Sequence, residues 1–96
     1  MLFLAELYLP AGTPVAEVPW AARVAALRAA GAGEIPRFIL AVFVPPDECC
    51  YALYGADSAE QVIAAGALAG VEFDRVSAAM AVLEPGWPMC VVSRVH

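Results

Sequence analysis

Side chains able to do acid–base or nucleophilic chemistry are sparse in this sequence and gather in a few places. Glu6 and Tyr8 stand two apart in the apolar opening segment, residues 2–9. Arg37, Cys50 and Tyr54 fall within the segment RFILAVFVPPDECCYALYGADS, and Ser77 lies in a later apolar run. A spacing of two puts Glu6 and Tyr8 on one face of a strand. A carboxylate on a central strand beneath a second subunit is desolvated, its pKa rises, and it can serve as a general acid or base. The plainer role for Glu6 is an ion pair with Arg37, Arg75 or an arginine of another copy. Tyr8 and Tyr54 can position or protonate a ligand oxygen, or simply pack with the hydroxyl at the rim. Cys50 as a nucleophile needs an activating base. The only histidine is the C-terminal His96, so a buried apolar thiol is its plainer role.

Several chemistries find no support. No phosphate-cradling glycine loop, dinucleotide fingerprint, Ser-His-Asp set or zinc motif occurs. Haem lacks an internal histidine or a convincing thiolate ligand. The expectation is therefore a protein with no cofactor and no metal. Net charge is −5, and the five basic residues are all scattered arginines, so no basic stripe exists to neutralise phosphates and nucleic acid is not an expected partner. Cys49 and Cys50 are adjacent and Cys90 is remote. That odd set draws neither a disulfide framework nor a CxxC site, and reads as reduced thiols in a cytoplasmic protein.

The elements that would position these groups are legible. Ninety-six residues make one domain. Residues 2–9 alternate, with Phe3, Ala5, Leu7 and Leu9 on one face and Leu4, Glu6 and Tyr8 on the other. Pro19 opens a helix whose apolar stripe is Trp20, Val24, Leu27 and Gly31. Arg23 and Arg28 lie off that stripe, towards solvent. Phe38–Val44 and Cys49–Tyr54 form a hairpin around Pro45-Pro46-Asp47-Glu48, where the two acids are turn formers. Ser58 and Gln61 make a capping-box pattern for a second helix packed through Val62, Ala65 and Ala69 and stopped at Gly70. Gly66 within it suits a close approach of the helix to the sheet. Val76–Leu83 is a fourth strand, and Met89–Val95 a fifth strand or an arm.

The order βαββαβ is the ferredoxin-like α+β fold, an antiparallel sheet in the order 4-1-3-2 with both helices on one face. The expected layout is one domain over 1–96, with a core at 2–83 and an arm or edge strand at 84–96. The apolar fraction is 62% and mean hydropathy is +0.75, against about 45–50% apolar in an average chain. A spanning helix needs about 20 apolar residues. The charge-free stretches 61–71 and 38–46 are shorter and broken by Gly or Pro, and MLFLAEL reads as a strand rather than a signal peptide. A soluble homodimer that covers the open sheet face, in the manner of a dimeric α/β barrel, accounts for the apolar excess.

The runs Phe43-Val-Pro-Pro-Asp-Glu-Cys-Cys-Tyr51, Leu53-Tyr-Gly-Ala-Asp-Ser-Ala-Glu60 and Phe73-Asp-Arg-Val76 resemble the small bacterial ferredoxin-like proteins of the nickel-binding-protein-like family. Over residues 2–83 the resemblance implies the fold and a tendency to dimerise. It does not carry nickel. Family members place histidines at the end of the first strand, where this chain reads Glu6-Leu-Tyr-Leu-Pro10.

Hairpin parity divides the candidates. With Val44 opposite Cys49, Phe43 opposite Cys50, Ala41 opposite Ala52 and Ile39 opposite Tyr54, the bulky set Phe38, Leu40, Val42, Val44, Tyr51 and Leu53 is expected beneath the helices. Arg37, Ile39, Ala41, Phe43, Cys50, Ala52 and Tyr54 are then expected on the open face with Leu4, Glu6, Tyr8 and Ser77. Trp87 would be a dimer anchor or a lid. The expected function is binding of a hydrophobic biosynthetic intermediate, with cofactor-independent isomerase or cyclase chemistry. Glu6, Tyr8 and Tyr54 would be catalytic, and Arg37, Phe43, Cys50, Ser77 and Trp87 would bind substrate. The alternative is a non-catalytic binding or metal-handling protein, or a structural or accessory dimer.

Overall fold

The computed structural model describes residues 1–9, 12, 14 and 18–82. β1 spans Leu2–Tyr8, α1 Trp20–Ala30, β2 Arg37–Val44, β3 Cys49–Gly55, α2 Ala59–Leu68 and β4 Arg75–Ala79. The four strands form one antiparallel sheet in the order β2-β3-β1-β4, which from the other edge reads 4-1-3-2. With two helices packed on it, this is an α+β domain consistent with the ferredoxin-like fold. β4 ends at Ala79, short of the expected Leu83, and Met80 to Val82 continue without pairing. Expectations for Trp87, Cys90 and the 84–96 arm lie outside the described residues.

Local chemistry sets these boundaries. Ser58 and Gln61 make the reciprocal capping box that their spacing predicts: the Gln61 amide donates to Ser58 Oγ, and Gln61 Oε1 accepts from the Ser58 amide. In the hairpin, Pro45–Asp47 make a single 3₁₀ turn and Glu48 takes a left-handed conformation, φ 49°. The Glu48 carbonyl then accepts from the Leu9 amide at 2.8 Å, tying the hairpin tip to the end of β1.

The hairpin register runs as expected from Val44–Cys49 to Ala41–Ala52. A bulge at Ile39 then brings Phe38, not Ile39, opposite Tyr54. From Leu40 to Val44 and from Cys49 to Tyr54 the helix-covered face is the reverse of the expectation, while beyond the bulge Phe38 lies beneath the helices and Arg37 on the open face, as expected. Pairing to β1 builds three rows beneath the helices: Phe3–Tyr54–Phe38, Ala5–Ala52–Ala41 and Leu7–Cys50–Phe43. Phe3, Ala5, Cys50, Ala52 and Tyr54 are buried there with Leu27, Ala30 and Val62 of the helices. The middle row is alanine throughout, which lets the helices sit close to the sheet. The bulky aliphatic set lies on the other face: Leu4–Leu53–Leu40 and Glu6–Tyr51–Val42, with Tyr8–Cys49–Val44 beyond them.

Two glycines are required by close approach. A Cβ at Gly31 would clash with the Phe38 backbone nitrogen, because the Phe38 amide donates to the Gly31 carbonyl across the α1–β2 connection. A Cβ at Gly66 would meet the Phe73 ring at 2.6 Å and the Val71 carbonyl at 3.0 Å, so the close approach is to the α2–β4 connection and not to the sheet as expected.

Candidate functional site

The face of the sheet away from the helices carries one compact polar group on an apolar field. Glu6 lies mid-strand on β1, opposite Tyr51 on β3 and Arg75 on β4. Tyr8 Oη donates to Glu6 Oε1 at 2.7 Å, and Arg75 Nε lies 3.5 Å from Glu6 Oε2. Arg75 Nε also donates to Ser77 Oγ at 3.0 Å. The carboxylate side chain is 13% exposed while its cationic partner is 69% exposed, so Glu6 sits down among its donors and Arg75 reaches outward. Leu4, Leu40, Val42, Val44 and Leu53 form the surrounding apolar field.

Backbone bonds hold this geometry. Asp74 fastens the start of β4 to β1 twice: its amide donates to the Glu6 carbonyl at 2.9 Å, and its carboxylate accepts from the Tyr8 amide at 2.8 Å. That clamp fixes Arg75 beside Glu6. Tyr8 is half exposed, and its hydrogen bond to the Glu6 carboxylate, the largest cause, pushes its phenol up to about 12. At neutral pH it therefore stays protonated and acts as a donor. The Tyr51 phenol is raised mainly by its hydrogen bond with Cys49. Burial pushes the Cys49 thiol up as well.

The expected site residues divide sharply. Glu6, Tyr8 and Ser77 come together around Arg75. Tyr54, Cys50 and Phe43, expected on the open face, are on the helix side. Tyr54 is fully buried and donates from Oη to the Leu27 carbonyl at 2.7 Å, between the edges of Phe38 and Phe73. Cys50 is buried, and desolvation raises its thiol, so it lacks nucleophilic character. Phe43 packs on Trp20, ring centroids 4.2 Å apart. These three have their partners inside the core and cannot line a pocket on the opposite face. Arg37 pairs with Gly55 on the open face, but two strands across from Glu6 and four residues along it, about 10 Å by 13 Å. Trp87 lies outside the described residues.

Tyr51 and Arg75 are the site members that the sequence did not bring forward as such. Tyr51 follows once the hairpin is phased on β1 instead of on side-chain bulk, and Arg75 once β4 is laid in register with β1. Arg75 had entered as one possible ion-pair partner of Glu6 and within the Phe73-Asp-Arg-Val76 run, whose Asp74 and Arg75 were expected to clamp the entry to the last strand. A further departure is Arg23, expected in solvent. It is half-buried, its Nε meets no acceptor, and it lines an apolar groove of about 320 Å³ between α1 and the α2–β4 connection, with Leu7, Ala26, Val71 and Glu72.

Among the described residues, no three His, Cys, Asp or Glu side chains gather as a metal site, and no helix is long and apolar enough to cross a membrane. No family model, curated protein or solved structure gives a significant match to the chain.

Proposed function

We propose that the open sheet face binds a small hydrophobic molecule bearing an oxygen function, that a second copy closes over it, and that Glu6 is the general acid/base of a cofactor-independent isomerisation or cyclisation. The observation that carries this reading is a carboxylate only 13% exposed, set in an apolar field and hydrogen-bonded by a phenol held protonated. Apolar walls with a few convergent polar groups are what small-molecule sites use. Glu6 takes a proton from one position of the substrate and returns it to another, so the carboxylate is regenerated and no redox partner is needed. When substrate displaces it from Glu6, the Tyr8 hydroxyl donates a hydrogen bond to the substrate oxygen and keeps its proton. Arg75 orients the substrate through its exposed guanidinium, and Ser77 steadies Arg75. Closure by a second copy would exclude water and strengthen each of these contacts. The resemblance to the nickel-binding-protein-like family enters this reading through its fold and its dimers only.

One observation favours a second reading. Both Glu6 oxygens are already engaged within the chain, Oε1 by the Tyr8 hydroxyl and Oε2 by the Arg75 ion pair. The cluster could then be a structural anchor at a dry, non-catalytic interface between two sheet faces.

Incubation with a small-molecule extract separates the two. The wild-type chain should convert a component into one of unchanged mass and altered retention. Glu6→Gln should slow that conversion by about 10²-fold or more, the usual worth of a general acid/base. Equal conversion by the variant would remove Glu6 from the chemistry, and no conversion by either would favour the structural reading.

A further inference from the structure

The outward surface of the helix layer is as apolar as its inward one. On α2 the exposed positions are Glu60, Ile63, Ala64, Ala67 and Leu68, at helical spacing and with a single charge; Ile63 is 51% exposed and Leu68 92%. The opposite side of the same helix, Val62 and Gly66, is buried in the core. A helix apolar all round belongs in an interior. On α1 the exposed positions are Ala21, Ala22, Ala25, Arg28 and Ala29, again one stripe with one charge. We propose that the helix layer is a two-fold interface between two copies of this chain, with α1 of each lying on α2 of the other.

Size and charge select this arrangement. α1 follows β1, α2 follows β3, and those strands are antiparallel, so the two helices run in opposite directions. Arg28, near the end of α1, and Glu60, in the first turn of α2, therefore lie at the same end of the layer. A two-fold axis parallel to the helices keeps the ends matched and exchanges α1 for α2. Each Arg28 then faces Glu60 of the second copy, and the large Ile63 and Leu68 meet the alanine stripe of α1. An axis across the helices sets α2 on α2 instead, bringing Glu60 towards Glu72 of the second copy, a like-charge contact, and leaving each Arg28 at α1 of the second copy, away from Glu60. The isologous arrangement buries both stripes at once and satisfies both charges.

This surface is on the far side of the domain from Glu6, so its test is made in a Val42→Glu background, where association through the open sheet face is blocked. Sedimentation velocity over a concentration series should show Val42→Glu as a dimer and Val42→Glu/Leu68→Glu as a monomer. Adding Arg28→Glu or Glu60→Arg singly should weaken dimerisation about tenfold, since two symmetric exposed pairs become repulsive. Adding both together should restore it, because the reversed charges again face opposites. All four positions are exposed, and circular dichroism checks that each variant folds. A monomeric Val42→Glu chain, a dimer that survives Leu68→Glu, or a double reversal no better than the singles would overturn the proposal. If wild type dimerises and Val42→Glu does not, association runs through the sheet face alone, and the reading of the Glu6 face stands while this one falls.

Discussion

Tyr54 shows how a side chain able to do chemistry is spent on stability. Its hydroxyl serves the Leu27 carbonyl inside the core, and burial, the leading cause, raises its phenol well above the ordinary 10.0. Tyr54→Phe should cost about 1 kcal/mol in chemical denaturation, because a buried carbonyl loses its donor. The raised folded pKa also fixes a pH dependence. Its stabilisation is full below pH 10.0 and drains away as the pH climbs beyond that, since the unfolded chain ionises first. The buried Cys50 thiol acts in the same direction from its ordinary 9.0 upward. The melting temperature should therefore fall between about pH 9 and about pH 11, and Tyr54→Phe should flatten the upper part of that fall. A profile equally steep in the variant would assign the alkaline loss to other groups. Tyr8 offers the contrast, because its raised pKa comes from Glu6 at an exposed position. Tyr8→Phe should leave the melting temperature nearly unchanged while lowering turnover, a split that marks a site residue.

At the scale of elements, connections decide more than interiors. Gly31→Ala forces a Cβ onto the Phe38 backbone and should cost about 1–3 kcal/mol, because neither the helix end nor β2 can yield cheaply. Ser58→Ala removes one half of the α2 capping box and should cost about 1 kcal/mol. Glu48 pays the left-handed penalty at the hairpin tip. Glu48→Gly should thus be neutral or stabilising, while a β-branched Glu48→Ile should cost about 1–2 kcal/mol more than the native residue. Equilibrium unfolding of the three positions checks all of these. The same scale shows why the sequence told part of the story. The β1 alternation, the capping box and the register from Val44–Cys49 to Ala41–Ala52 were legible because each rests on local chemistry. The facing of the hairpin was not. Both of its faces are apolar, and the bulkier one, Leu40, Val42, Val44 and Leu53, looks more like a core than the face holding Ala41, Ala52 and Cys50. Helices need room, and the small row provides it.

For the whole molecule, the apolar excess appears on two separate surfaces. One is the open sheet face around Glu6, and the other is the outer side of α1 and α2. The composition predicted burial by a second copy but could not distribute the surface between two layers, because that depends on which side the helices take. The candidate site was half legible for the same reason: Glu6, Tyr8 and Ser77 share a face through β1 parity, whereas Tyr51 and Arg75 join them only after β3 and β4 are laid in register. What the account rests on is proton transfer at Glu6. Deuterium uptake tests it directly: the mass-neutral conversion is run in D₂O and the product is analysed by mass spectrometry. An acid/base that takes a proton from carbon leaves solvent deuterium in the wild-type product wherever the carboxyl exchanges before the return, and Glu6→Gln should form and label product about 10²-fold more slowly. A Glu6→Gln variant that forms and labels the product as fast as the wild-type chain would contradict the account.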